Sequence, residues 1–328
     1  MIRKVKLSFK DNGKDLMMEL KVTKITLCGW EQLLNIFNEH TKSEKQWIYR
    51  GHSKENDPLE TTLERYIYAL RLDESKFKKN DDDSKYKCKQ KILRRKIGQF
   101  NNVLDLEKEL MNEFNRRCYL YVKNPPPEER LVELLALMRH YEAPSRLLDW
   151  TYSLFVATFF ALEKANSNCA VWAIDSDWLE KRIKDTSGNY IGRYLDPEFF
   201  DKREEILRKR LFRKNPKMMV HVLNPIRLND RLVLQQGVFL CPGDISKTFQ
   251  DNLEIYLNDE CQDKIVKYII KCDRKERIRI LVNLHRMNIN RATLFPGLEG
   301  FSKSLCTLTC AFMKGGTQGR TQGRFCRM

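Results

Sequence analysis

The run Leu154-Phe155-Val156-Ala157-Thr158-Phe159-Phe160-Ala161-Leu162 constrains the fold more than any other stretch of the chain. It is hydrophobic nearly all round, and a helix without a polar face has to lie where protein covers every side. A membrane would also cover it, but a span needs about 20 apolar residues and this run supplies about half of that. No membrane partner is expected, and the rest of the chain must wrap the helix. Upstream, Trp30 to His40 has helical spacing through Trp30, Leu33, Leu34 and Phe37, and leads into the β-prone run Trp47-Ile48-Tyr49. Downstream, Ala170 to Ile174 is a short buried strand by the same criterion.

The remaining segments divide between the two periods. Residues 2–9 and 16–26 alternate apolar and polar positions around Asp11-Asn12-Gly13, a hairpin signal. Pro58 to Leu70 is helical, with Thr61 or Thr62 as its cap, and Asn102 to Val122 forms a second amphipathic helix. Pro125-Pro126-Pro127 stops that helix. Glu128 and Glu129 open the next, where acids suit the helix dipole, with a stripe of Leu131, Leu134, Leu135 and Met138. Residues 180–217 are polar and mostly helical. Strands are expected at Val220–Leu223, Arg231–Leu240 and Ile278–Val282, with a helix over 262–271 and a short one after the block 289–300. The fold class is therefore α+β: a single domain with a mixed β-sheet, several packed helices and an N-terminal β-hairpin. The expected organisation is a hairpin segment at 1–24, a domain at 25–306 and a basic, low-complexity, disordered tail at 307–328.

Sixty Lys and Arg against 44 Asp and Glu give a net charge of +16. Such a charge favours encounters with polyanions, so nucleic acid is a candidate partner. The lysines are partly segregated, however. A stretch inside the insert 71–100 carries Asp81-Asp82-Asp83 among its lysines, which suits a solvated insert better than a phosphate-tracking groove. Ten scattered cysteines without a Cys-x-x-Cys imply reduced thiols and no metal site. No secretory hydrophobic region opens the sequence, and a cytoplasmic location is expected.

Candidate chemistry gathers at four places. Arg50 ends an aromatic strand beside Gly51 and His52, where a guanidinium fork could hold phosphate or carboxylate, although a solvated turn arginine has the same local grammar. His140, Tyr141, Arg146, Asp149 and Trp150 stand immediately before the apolar helix. They could form a ligand shelf, or an Arg146–Asp149 ion pair locked by a core tryptophan. Gln236 precedes a glycine in an otherwise hydrophobic strand, as a pocket residue or as part of a bulge. Glu299 lies at a helix start, as a catalytic acid or as a dipole-stabilising one.

Taken in order, Tyr49-Arg50-Gly51-His52, Pro58-Leu59 with Thr62 and Arg65, His140-Tyr141-x-x-Pro144-x-Arg146-Leu147-Leu148-Asp149-Trp150-Thr151, Gln236-Gly237-x-Phe239 and Leu294-Phe295-Pro296-x-Leu298-Glu299-Gly300 resemble the blocks of the FRG domain family. The resemblance covers roughly residues 25–306. Tyr49 stands where the family has Phe, Ser145 where Thr is usual and Glu299 where Asp is commoner. The family comprises bacterial and phage proteins and is associated with mobile elements and defence. The resemblance therefore implies a nucleotide-binding effector in a defence or toxin–antitoxin setting, with a macromolecular acceptor and a restraining partner protein. The early arginine and late acid are also similar to those of ADP-ribosyltransferases. That likeness makes NAD the candidate cofactor, with Arg50 on its phosphate and Glu299 as the catalytic acid; the pocket expected from the family blocks adds His52, Tyr141, Arg146, Asp149, Trp150 and Gln236 as binding residues and His140 as a catalytic one. The alternative is a non-catalytic module for nucleic acid or a nucleotide signal.

Overall fold

The structure is a computed structural model that describes residues 20, 22–76, 102–187, 200–257, 263–271 and 273–312. In chain order its elements are β1 (Thr23–Leu27), α1 (Trp30–Lys42), β2 (Trp47–His52), α2 (Thr62–Lys76), α3 (Val103–Cys118) and α4 (Leu131–His140). Then come β3 (Leu148–Thr151), α5 (Leu154–Glu163), β4 (Cys169–Asp175), α6 (Ser176–Ser187), α7 (Phe200–Leu211) and β5 (Val220–Leu223). The last are α8 (Asp230–Leu234), β6 (Gly237–Pro242), α9 (Phe249–Glu254), β7 (Ile265–Ile270), α10 (Arg274–Arg286), α11 (Arg291–Leu294) and α12 (Leu298–Phe312). Among the described residues one sheet contains all seven strands, in the order β1-β7-β4-β2-β3-β6-β5. The β1–β7 pair is parallel and the other pairs are antiparallel, so the sheet is mixed and the fold is α+β.

Helix α5 is the centrepiece. The Ser153 hydroxyl accepts from the Val156 amide at its start. At its end, Arg277 of α10 donates to the carbonyls of Leu162 and Glu163 at 2.7 and 2.6 Å, a cation where the helix dipole is negative. Its side chains pack with α1, α10, Tyr49, Val171 and Tyr268 in one core on one face of the sheet. The other face buries Ile48, Trp150, Trp172 and Val238 under α6 and α9. A third cluster joins α4 and α7 to Leu223, Phe239 and Cys241.

Gly51 lets α5 lie on β2 at backbone distance. A β-carbon there would stand 2.0 Å from the Ala157 carbonyl oxygen and 2.6 Å from the Ala161 nitrogen. Neither neighbour is a side chain that could swing away. Gly51→Ala is expected to cost stability at the upper end of the about 1–3 kcal/mol of an overpacked core, read as a lowered denaturation midpoint.

Three sequence expectations give way. The expected strand Arg231–Leu240 is α8, capped by Asn229, then a turn, with the strand starting only at Gly237. Gln236 takes the turn with φ 48°, so the glycine opens a strand and does not interrupt one. Residues 265–270 of the expected 262–271 helix are strand β7, buried between β1 and β4. The expected strand Ile278–Val282 lies inside α10, whose Asp273 cap accepts from Glu276 and whose Ile280 and Leu284 are buried at helical spacing. Most of the expected hairpin lies outside the described residues; its described end, β1, pairs with β7. Helix α2 runs six residues into the basic insert, and α12 continues through Phe312. The remainder of the insert and tail lies outside the described residues.

Candidate functional site

Strands β2 and β3 touch through a single bridge pair, Tyr49 with Thr151. Past it the ladder stops, and the Arg50 side chain fills the gap. Its Nη1 donates to the Asp149 carbonyl at 2.6 Å, and its Nε donates to His52 Nε2 at 3.1 Å. His52 is buried, and its Nδ1 lies 3.0 Å from the Asp57 carbonyl. Since Nε2 accepts from an arginine, the proton sits on Nδ1 and the ring is neutral. Burial and the Arg50 charge push His52 down to about 3. Burial lowers Arg50 itself to about 10, which leaves it charged at neutral pH.

The Asp149 carboxylate faces a second arginine. Arg139, in the last turn of α4, donates to Oδ2 through Nε at 2.8 Å and Nη2 at 2.6 Å, while Arg50 Nη1 stands 3.9 Å away. Burial would raise this acid, but Arg139 and Arg50 outweigh burial and hold it below the usual carboxylate range. Two more arginines stand beyond. Arg231 of α8 and Arg291 of α11 both lie over the Phe295 ring, at 4.5 and 4.4 Å from its centroid. Arg291 Nη1 is bonded to Glu163 at 2.7 and 2.8 Å. Among the described residues Arg231 makes no ion pair or side-chain hydrogen bond; burial lowers it, Asp149 raises it, and Arg139 lowers it again. Four guanidiniums thus meet two paired carboxylates, Asp149 and Glu163, and the exposed Glu142 offsets part of the surplus.

The expected site residues separate into groups. Arg50, His52 and Asp149 are in direct contact. His140 ends α4 with its ring edge-on to the exposed Tyr141 at 4.8 Å; burial and then Arg231 lower its pKa. Glu299 is exposed in the first turn of α12 and paired with Lys303, and it also feels Arg291 and Arg231. Arg146 is elsewhere: fully buried, it pairs with Glu107 of α3. Its neighbour in the expected ion pair, Asp149, takes Arg139 instead. Trp150 lies in the core on the opposite face from α5. Gln236 lines a separate cavity of about 500 Å³ with His40, Trp47, Tyr49 and Tyr152. There His40 stacks on Trp47 at 4.1 Å and is hydrogen-bonded to Tyr49 (2.7 Å) and Tyr268 (2.9 Å).

Arg139 and Arg291 escape sequence reasoning because each is a helical arginine of ordinary appearance, and Arg231 because the expected strand 231–240 hides its place on α8. Only Phe295, a ring able to carry a cation, hinted at the last two. The FRG domain family model matches residues 45–169, a span that contains Arg50, His52, Arg139 and Asp149. No curated protein and no solved structure matches the chain.

Proposed function

We propose that the FRG domain carried by this chain binds the phosphates of a nucleotide at Arg50 and Arg139, which Asp149 holds in place, and that the protein is a nucleotide-dependent effector in a bacterial defence or toxin–antitoxin setting. The surplus of guanidinium over carboxylate around Asp149 carries this reading. Arginine forks match phosphate geometry, and charge-assisted bonds gain strength where water is partly excluded. Asp149 aligns Arg139 and Arg50 before a ligand arrives, which lowers the ordering cost of binding.

NAD fits such a cluster, because its diphosphate is an anion of the kind these arginines would hold. When bound, it supplies an ADP-ribosyl group on a nicotinamide leaving group. Glu299, exposed and ionised, would then set its negative charge against the positive charge that develops on the ribose in the transition state. Calorimetric titration with NAD and with ADP-ribose should show saturable binding. Arg139→Gln and Arg50→Gln should each weaken it about 10- to 100-fold, the equivalent of charged hydrogen bonds worth about 1.5–3 kcal/mol. Thermal melts of both variants check that they fold. No binding by the wild type to either ligand would end the reading. With labelled NAD and cell extract, Glu299→Gln should lose label transfer while keeping NAD affinity.

The net charge of +16 favours a second reading, a nucleic-acid-binding module. It requires affinity that falls steeply with salt and is indifferent to Glu299→Gln.

A further inference from the structure

The cavity beside Trp47 contains one more donor than the protein uses. His40 joins two tyrosines, with Nδ1 2.7 Å from the Tyr49 hydroxyl and Nε2 2.9 Å from that of Tyr268. Burial, and then Lys45, push His40 down to about 4, so its ring is neutral and carries one proton. Burial raises both tyrosines, which keep their protons. Three protons therefore serve two hydrogen bonds, and one hydroxyl proton is left over. If Nε2–H donated to Tyr268, the spare proton would be that of Tyr268, buried beside α5 where the described residues offer it no acceptor. If Nδ1–H donates to Tyr49, the spare proton is that of Tyr49, which lines the cavity. A buried donor left unmade costs free energy, so the second arrangement prevails.

The walls around that proton are fixed and largely aromatic. His40 lies parallel to Trp47, Trp47 Nε1 donates to Ser43 Oγ at 3.3 Å, and that hydroxyl donates to the His40 carbonyl at 2.7 Å. At about 500 Å³ the cavity falls within the about 300–1,000 Å³ of small-molecule sites. Its one lining cation, Lys45, is paired with Asp263 at 2.9 Å, while Glu44 and Asp177 contribute carboxylates, so nothing there favours an anion. Gln236 is an exposed part of the lining, and its side-chain amide makes no hydrogen bond among the described residues. We propose that this cavity binds an uncharged heteroaromatic ring of the nucleobase class, with Tyr49 donating to a carbonyl oxygen or ring nitrogen and Gln236 bonding the adjoining polar edge. A flat ring suits the aromatic walls, and the amide offers both a donor and an acceptor, as the edge of a nucleobase does. Accepting from Nδ1 polarises the Tyr49 hydroxyl and strengthens it as a donor. Tyr49 and Arg50 are successive residues of β2 and point to opposite faces of the sheet, so this site is independent of phosphate binding at Arg50.

The probes are adenosine and uridine, which carry a base without a phosphate, titrated against the whole chain with ribose as the ring-free control. At least one nucleoside should bind saturably, with a Kd of about 1 mM or tighter, and ribose should not. Tyr49→Phe keeps the ring and removes the donor, and should weaken binding about 3- to 10-fold, as loss of one neutral hydrogen bond implies. Gln236→Ala, at an exposed position, should weaken it about 3-fold. Nitrogen-15 spectra of the wild type should show His40 as the Nδ1–H tautomer. Failure of both nucleosides to bind would overturn the proposal, as would ribose binding as tightly as they do. Undiminished affinity in either variant would overturn it too, and so would an Nε2–H tautomer. The tautomer and the wild-type titrations need no variant, so a substitution that fails to fold cannot shield the proposal.

Discussion

Glu107→Ala is expected to cost about 3–5 kcal/mol of folding stability, the penalty for leaving a buried charge without its partner. The stranded group is Arg146. It is fully buried and donates through Nε (2.6 Å) and Nη2 to the two Glu107 oxygens, with Nη1 3.4 Å from the Pro242 carbonyl. Its guanidinium lies 5.2 Å from the Phe212 ring centroid, and no part of the side chain is exposed to solvent. Burial alone would lower the Arg146 pKa, and the Glu107 contact more than restores it. Removing both charges together should be far milder. The double variant Glu107→Met, Arg146→Leu is expected within about 1–2 kcal/mol of wild type, since well-packed apolar groups often replace a buried ion pair at little cost. Urea denaturation of the two single variants and the double gives the coupling directly. Additive losses would mean the pair is not the fastening between α3 and the start of β3 that the geometry describes.

Acid is expected to unfold the protein steeply below pH 4.5. His52 and His221 are buried and pushed down to about 3, by burial first and then by neighbouring arginines. A histidine depressed in the folded state contributes stability that is fully present above its unfolded pKa near 6.5. That stability is lost as pH falls through the folded value. Each such proton is worth about 1.4 kcal/mol per pH unit, so the two histidines together withdraw about 2.7. Glu64 opposes them over part of the range. Burial raises it to about 7, although the Thr61 and Phe249 amides donate to it, so its contribution is fully present below about 4.5 and lost as pH rises through 7. Between pH 6.5 and 4.5 Glu64 therefore cancels about half of the slope from His52 and His221, while His40, pushed down to about 4 by burial and then Lys45, adds a slope of its own. Below 4.5 it is protonated in both states and the full slope emerges. His221→Leu removes one titrating group whose Nε2 has no hydrogen-bond partner. It should flatten the acid limb by about 1.4 kcal/mol per pH unit, measured from urea midpoints at successive pH values. An unchanged limb would show that His221 is not a buried neutral group.

The central helix was legible because a run with no polar face has one place to go, and Leu154–Glu163 is there. The stretch around Ile280 was harder. Arg277-Ile278-Arg279-Ile280 alternates as a strand would, while Asp273 and Glu276 spell a helix start three residues apart. Capping won, because it fixes the first turn and the buried positions then recur at Ile280 and Leu284. Ile265–Ile270 failed in the opposite direction: a short apolar run has no period to read, and only its place between two strands decides it. At the site, Arg50 stands out because it ends a strand, where a charge is conspicuous, and Asp149 because it belongs to a dense polar block immediately before the apolar helix. Arg139 sits on a helix, where arginine is the commonplace solvated residue, and Arg231 heads a stretch that reads as a strand but folds as α8. Their convergence belongs to the tertiary fold, which no local pattern encodes. Arg146 misled for a related reason: its partner is 39 residues away on α3, not three away on β3.

The position of β7 between β1 and β4 has a consequence for biosynthesis. Among the described residues strand β1 has no ladder partner other than β7, so its place beside β7 cannot be taken until Ile270 has left the ribosome. At about 5–20 residues per second, that is a wait on the order of 10–50 s. During that interval β2, β3 and β4 can already pair around α5. The edge of β4 that β7 will cover stays open meanwhile, a row of unpaired amides and carbonyls in a strand buried along its whole length in the finished fold. Nascent chains stalled before residue 265 are therefore the species most exposed to intermolecular pairing, and a chaperone that occupies that edge would act on the growing chain and not on the finished one.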